Sequence, residues 1–171
     1  EAKKALKASG YDGSPIVQLH ATNSATIGPL SEVLTRVLRN IGFNVRDDAM
    51  DFQTFTRKRL SQAAPAEGGW NIALSTWTGP DVVDPVVNIS LSGAGQAAQW
   101  GWPTLPEMET LRNKFAQTAD PQERKKLAAE IQKLAYDQAL YIPTGTFKAL
   151  AAYRNNVKGV TSAPALMLWG I

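Results

Sequence analysis

Hydrophobic and polar positions along this chain fall into short blocks of two kinds, alternating pairs and three-to-four spacing, separated by glycine, proline and small polar residues. Residues 2–9 read as the end of a helix, with Gly10 just beyond it where a left-handed turn suits glycine. Ile16 to His20 reads as a short strand, and Thr22, Asn23 and Ser24 as the capping residues after it. Up to Ile41, Leu30, Val33, Leu34, Val37, Leu38 and Ile41 recur at helical spacing, which predicts an amphipathic helix burying that stripe. Gly42 stops it and Phe43-Asn44-Val45 opens a second strand. Asp51 is placed to cap a short helix through Leu60, with Phe52 and Phe55 inward. AAPAEGG at 63–69 reads as a surface turn.

The most informative stretch runs from Trp70 to Pro85, WNIALSTWTGPDVVDP. Trp70, Ile72, Leu74 and Thr76 alternate with Asn71, Ala73, Ser75 and Trp77, predicting a mostly buried strand. Gly79-Pro80 ends it, because proline has no N–H to donate to a ladder. Asp84-Pro85 reads as the N-cap and first position of a helix. That gives Asp84 a structural duty, and none is visible for Asp81. A glycine-rich loop, SGAGQAAQWGW, then carries Trp100 and Trp102. Thr104 to Glu107 fits a capping box ahead of a helix bearing Leu105, Met108, Leu111 and Phe115. Asp120-Pro121 repeats that logic, with Leu127, Ile131 and Leu134 as the buried stripe. Tyr141 to Phe147 reads as a returning strand interrupted by Pro143. This order of elements predicts the α/β class, a mixed sheet flanked by helices, in a single domain over 1–171.

Composition narrows the function more than the fold. With 171 residues, 44% hydrophobic and 19% charged, the chain has the make-up of a globular domain with a sizeable core. Its net charge of +3 is spread over helical faces, with no basic stripe or aromatic platform, so nucleic acid is not an expected partner. The absence of cysteine excludes disulfides and thiolate chemistry. No run approaches a membrane span, and the first residues carry no apolar signal-peptide core.

Catalysis finds little footing. His20 is the only histidine, and no G-x-S-x-G elbow frames a serine for it to activate, although Ser24 lies close in sequence. Asp47 and Asp48 are adjacent on a strand and point to opposite faces, so they cannot share a substrate. No calcium-loop spacing is present, and Gly93-Ala94-Gly95 lacks the Lys-Ser/Thr of a phosphate loop. No catalytic residue, metal or cofactor is therefore expected. Of the tryptophans, Trp70 reads as core, while Trp77, at the strand's exit, either stacks on a ligand or plugs the sheet end. Trp100 and Trp102 either pack on the domain or face a cleft.

The Trp70–Pro85 stretch resembles the ligand-contacting strand and loop of the family 5 extracellular solute-binding proteins, the peptide-binding receptors of bacterial ABC importers. Their usual pattern there is a Trp, two small residues, an Asp, and an Asp-Pro a few residues later. EAKKALKASGYDG, IGFNV, DPQERKKLAAEIQKLAYDQALYIPTGTF and YRNNVKGV resemble further segments of that family's second large lobe, in the right order. The resemblance implies one lobe of a type II periplasmic binding protein, the C-terminal lobe of a longer, non-catalytic receptor. Its implied partners are a peptide or small solute, the N-terminal lobe of the same receptor, and ABC permease subunits, with the periplasm as location.

Residue by residue, the resemblance implies that the backbone of Trp77, Thr78 and Gly79 pairs with an extended peptide. It implies that Asp81 holds the ligand's α-ammonium and that Phe147 faces the pocket; Trp102 joins them as a loop candidate. Pro80 adds a residue between Gly79 and Asp81 relative to the common pattern. One alternative is a lobe for a non-peptide solute, such as a nickel complex, a sugar or an opine. Another, of a different class, is a small hydrolase using His20. The apolar ending ALMLWGI, without periodicity, leads to the expectation that this chain self-associates.

Overall fold

The computed structural model describes residues 1–161 together with 163, 167 and 169. Most of the ALMLWGI ending, on which the expected self-association rests, lies outside the described residues. The chain forms two compact units, one over Glu1–Thr76 and one from Trp77 onward.

The first unit is built on a parallel sheet of three strands in the order β2-β1-β3, with β1 at Ile16–Ala21, β2 at Val45–Met50 and β3 at Ile72–Ala73. As the central strand, β1 is buried on both faces. Leu19 and Ala21 join Ile27, Phe55 and Leu74 in one apolar cluster. Helix α1 (Ala2–Ala8) ends ahead of Gly10, whose φ of 78° is the left-handed turn the sequence calls for. Helix α2 (Ile27–Ile41) stops at Gly42, with φ 122°. Helix α3 (Phe52–Lys58) is capped by Asp51, whose carboxylate accepts from the N–H groups of Gln53 and Thr54.

Four expectations change in this unit. The fully buried positions of α2 are Ile27, Gly28, Ser31 and Thr35; of the expected stripe, Leu30 and Leu34 pack half-buried on the core, while Val33 and Val37 are exposed. The cause lies across the interface on β1. Gln18 is fully buried and donates to the Ser31 carbonyl and to Thr35 Oγ1, both at 2.8 Å. A buried amide left without partners costs more than an exposed valine, so the helix turns its polar positions inward. Phe55 is buried but Phe52 is 42% exposed. Asn23 caps α3 rather than α2, accepting from the Phe52 N–H at 2.7 Å, while Ser24 accepts from Ile27. The strand read over 70–77 is also shorter, because only Ile72 and Ala73 pair with β1.

The second unit centres on two helices, α5 (Pro106–Gln117) and α6 (Pro121–Asp137). Their apolar stripes meet: Met108, Phe115, Leu127 and Ile131 are buried with Leu91, as the spacing predicts. Asp120 caps α6 by accepting from the Glu123 N–H, with Pro121 at the first position. Thr104 does not cap α5; Leu105 occupies the N-cap with no side-chain bond. Thr104 instead pairs with Ala94 in an isolated antiparallel bridge that closes the base of the glycine-rich loop. Residues 141–147 form no strand, and Ile142 and Phe147 are 79% and 62% exposed. Pro143 removes a donor from that run, and no strand among the described residues pairs with it.

Candidate functional site

After β3 the chain passes Leu74 and reaches Trp77, and the acidic loop begins. Gly79-Pro80 does end the extended run, but it does so by opening a helix. Helix α4 (Gly79–Val82) has Thr78 as N-cap and Pro80 in its first turn. Thr78 and Asp81 form a capping box. Thr78 Oγ1 donates to Asp81 Oδ2 at 2.7 Å, and the Thr78 N–H reaches the same oxygen at 3.2 Å. Asp81 thus has the structural duty that the sequence reading assigned elsewhere. Both bonds fall on Oδ2. Oδ1 accepts nothing from the described residues, and the side chain is exposed.

Asp84 does not start a helix. Its Oδ1 accepts from the Val86 N–H at 2.7 Å, its carbonyl from the Asn88 N–H at 3.0 Å, and the 85–87 segment is a turn. A second anchor is the Arg124 guanidinium, 3.5 Å from Asp84 Oδ2. Asp84 is therefore structural, as expected, but it holds a turn.

Trp77 stacks on Trp100, with ring centroids 6.0 Å apart and planes 20° from parallel. Of the two loop tryptophans that the sequence offers, Trp102 is the expected contact, and it is Trp100 that stands on Trp77. The loop explains the exchange. The Trp102 N–H donates to the Gln99 carbonyl, closing a turn with Trp100 and Gly101 at its two central positions. Gly101 has φ 95°, the conformation such a turn asks of its third residue. Trp102 then sits at φ 45°, which is strained for a non-glycine residue. Phe147 stands in exposed, extended chain and makes no ring contact with Trp77 among the described residues. The site thus gathers Trp77, Thr78, Gly79 and Asp81 on one continuous segment and adds Trp100 from the glycine-rich loop.

His20 lies elsewhere, buried on β1, with Nδ1 3.0 Å from Asp47 Oδ2. An acid that orients a histidine is half of a triad. The other half is missing: among the described residues no serine or threonine is hydrogen-bonded to His20. Ser24 uses its oxygen to accept from Ile27.

No family profile matches the chain. It is 32% identical over all 171 residues to a probable peptide ABC transporter periplasmic-binding protein, y4tO, of Sinorhizobium fredii. The chain is a homologue of ABC-transporter solute-binding proteins. It spans about a third of that relative's length, 32%. Among solved structures, the ABC transporter substrate-binding protein CtaP of Listeria monocytogenes superposes with a TM-score of 0.62 at 24% identity. That match covers 81% of this chain and 28% of CtaP. The chain thus shares the fold of part of that protein, with a small parallel sheet flanked by helices. No helix among the described residues is long and apolar enough to cross a membrane.

Proposed function

We propose that this chain is one solute-contacting lobe of a receptor that captures peptides outside the cytoplasmic membrane and hands them to an ABC permease, without catalysis. The reading takes residues 1–171 as a single lobe, closing on its solute against the remainder of the receptor by hinge motion. The observation that carries it is the Trp77–Asp81 segment. Trp77 to Asp81 are exposed and end in a carboxylate with one oxygen still open to a donor; Asp81 engages both the N–H and the carbonyl of Thr78, which leaves the backbone of Trp77 and the Gly79 N–H to meet a peptide. Exposed main chain lends affinity to an extended peptide without reading its side chains, and the carboxylate anchors an α-ammonium. The relative's name, a probable peptide ABC transporter periplasmic-binding protein, points the same way.

The capping box shapes the details. A carboxylate offers about four lone-pair sites, and the cap draws only on Oδ2. Oδ1 is the oxygen assigned to the ammonium, with the Trp77–Trp100 surface beside the same loop and Trp102 and Phe147 as further contacts. The test compares free-amine and N-acetylated forms of one peptide on the full-length receptor and its Asp81→Asn variant. Asparagine keeps an acceptor for Thr78 while removing the charge. Weaker binding of the free-amine peptide alone supports the reading. Equal binding of both forms favours a solute without an amine.

A further inference from the structure

We propose that Arg112, on α5, is a positioning residue that holds the solute loop and the tryptophan loop together, so that Trp77 and Trp100 stay stacked. The three donor groups of its guanidinium are all engaged, and they reach two separate parts of the unit. Nε donates to the Pro85 carbonyl at 3.0 Å and Nη2 to the Val86 carbonyl at 2.9 Å. Both carbonyls belong to the turn that follows α4. Nη1 donates to Glu109 Oε1 at 2.9 Å. That same oxygen accepts the Gly93 N–H at 2.8 Å, at the base of the glycine-rich loop.

From Gly93 the loop is closed by its own backbone. The Leu105 N–H donates to the Gly93 carbonyl at 2.8 Å, and the Gly95 N–H to that of Pro103 at 2.9 Å. A chain of charge-assisted bonds therefore runs from the turn after α4, through Arg112 and Glu109, to the loop that carries Trp100. One guanidinium thus reaches both loops, the second through Glu109. Arg124 adds a second tie to the solute loop through Asp84, but its other bonds, to the carbonyls of Phe115 and Thr118, lie on the helical side. Arg112 alone of these two arginines reaches both the turn that follows Trp77 and, through Glu109, the base of the tryptophan loop. A lysine in its place brings one compact charge without the planar fork that serves two carbonyls and a carboxylate together.

The proposal rests on reading the Trp77 loop as solute-contacting, yet its test observes the stacked pair directly. Two indoles held 6.0 Å apart with skewed transition dipoles couple their electronic transitions and give a bisignate circular-dichroism band; Trp100→Phe defines its loss. In the full 171-residue chain, Arg112→Ala is expected to abolish that band at temperatures where the helical signal is intact. Arg112→Lys is expected to diminish it. A purely structural arginine would lower the melting temperature and leave the band unchanged below it. If Arg112→Ala does not fold, the lysine variant decides: an undiminished band overturns the proposal. A native chain showing no band that Trp100→Phe removes overturns it equally. Either failure leaves the peptide reading standing, since that reading is judged by the binding of free-amine and acetylated peptides.

Discussion

Thr78 Oγ1 lies 2.7 Å from Asp81 Oδ2, so the acid proposed to meet the solute also caps its own helix. Thr78→Val removes that donor and the acceptor for the α4 backbone while keeping the shape. The helix is short and exposed, so the loss belongs at the low end for a cap, about 0.5–1 kcal/mol. Urea unfolding is expected to show a lowered midpoint with an unchanged slope, because no additional surface is exposed.

Gly93 and Gly79 give a sharper contrast. A Cβ on Gly93 would stand 2.5 Å from the Leu105 carbonyl oxygen and 2.8 Å from its Cβ, whereas one on Gly79 meets nothing within 4 Å. Gly93→Ala therefore has to push the loop off α5, at a cost of about 1–3 kcal/mol. Gly79→Ala is expected to stay within about 0.5 kcal/mol of the native chain. Paired thermal melts of the two variants check this.

Glu109 sets an acid-side dependence. Burial would raise its carboxyl, but the Gly93 N–H and the hydrogen bond and charge of Arg112 outweigh it, leaving it below its ordinary value of 4.5. A carboxyl lowered on folding contributes stability that is present above its unfolded value and lost as pH falls through its folded value. Glu109→Gln is thus expected to destabilise the chain at about pH 7 and to differ less from the native chain at about pH 3. Unfolding midpoints at the two pH values measure the difference, which should shrink on acidification.

Local signals were readable from the sequence. Asp51 and Asp120 cap their helices because the carboxylate and the N–H groups it serves lie within three residues of each other. The stripes of α5 and α6 were equally plain, since each helix buries its apolar face on the other. The face of α2 was not, because Gln18, a residue of another element, decides which side turns inward. The run from Tyr141 to Phe147 carries strand-like residues, but a strand exists only through a partner, and that is not written in the run itself.

The site was half legible. Thr78-x-x-Asp81 ahead of two valines is a capping-box pattern, and Pro80 suits a first turn. Read as the end of a strand, the same residues hid the start of a helix. Trp100 could have been found from Gly101, since a glycine third in a turn places the residue before it at the tip. The stacking on Trp77 joins residues far apart in the chain, and no local pattern announces it.

The measurement that bears most directly on the central claim is the affinity of the full-length receptor for one peptide, free-amine and N-acetylated, with native Asp81 and with Asp81→Asn. A charge-assisted hydrogen bond contributes about 1.5–3 kcal/mol, so the substitution is expected to weaken the free-amine peptide about tenfold or more. The acetylated peptide should bind both proteins alike, and the melting temperature should barely move because asparagine still accepts from Thr78. Unchanged affinity for the free-amine peptide in the Asp81→Asn receptor would contradict the account and leave Asp81 as a helix cap alone.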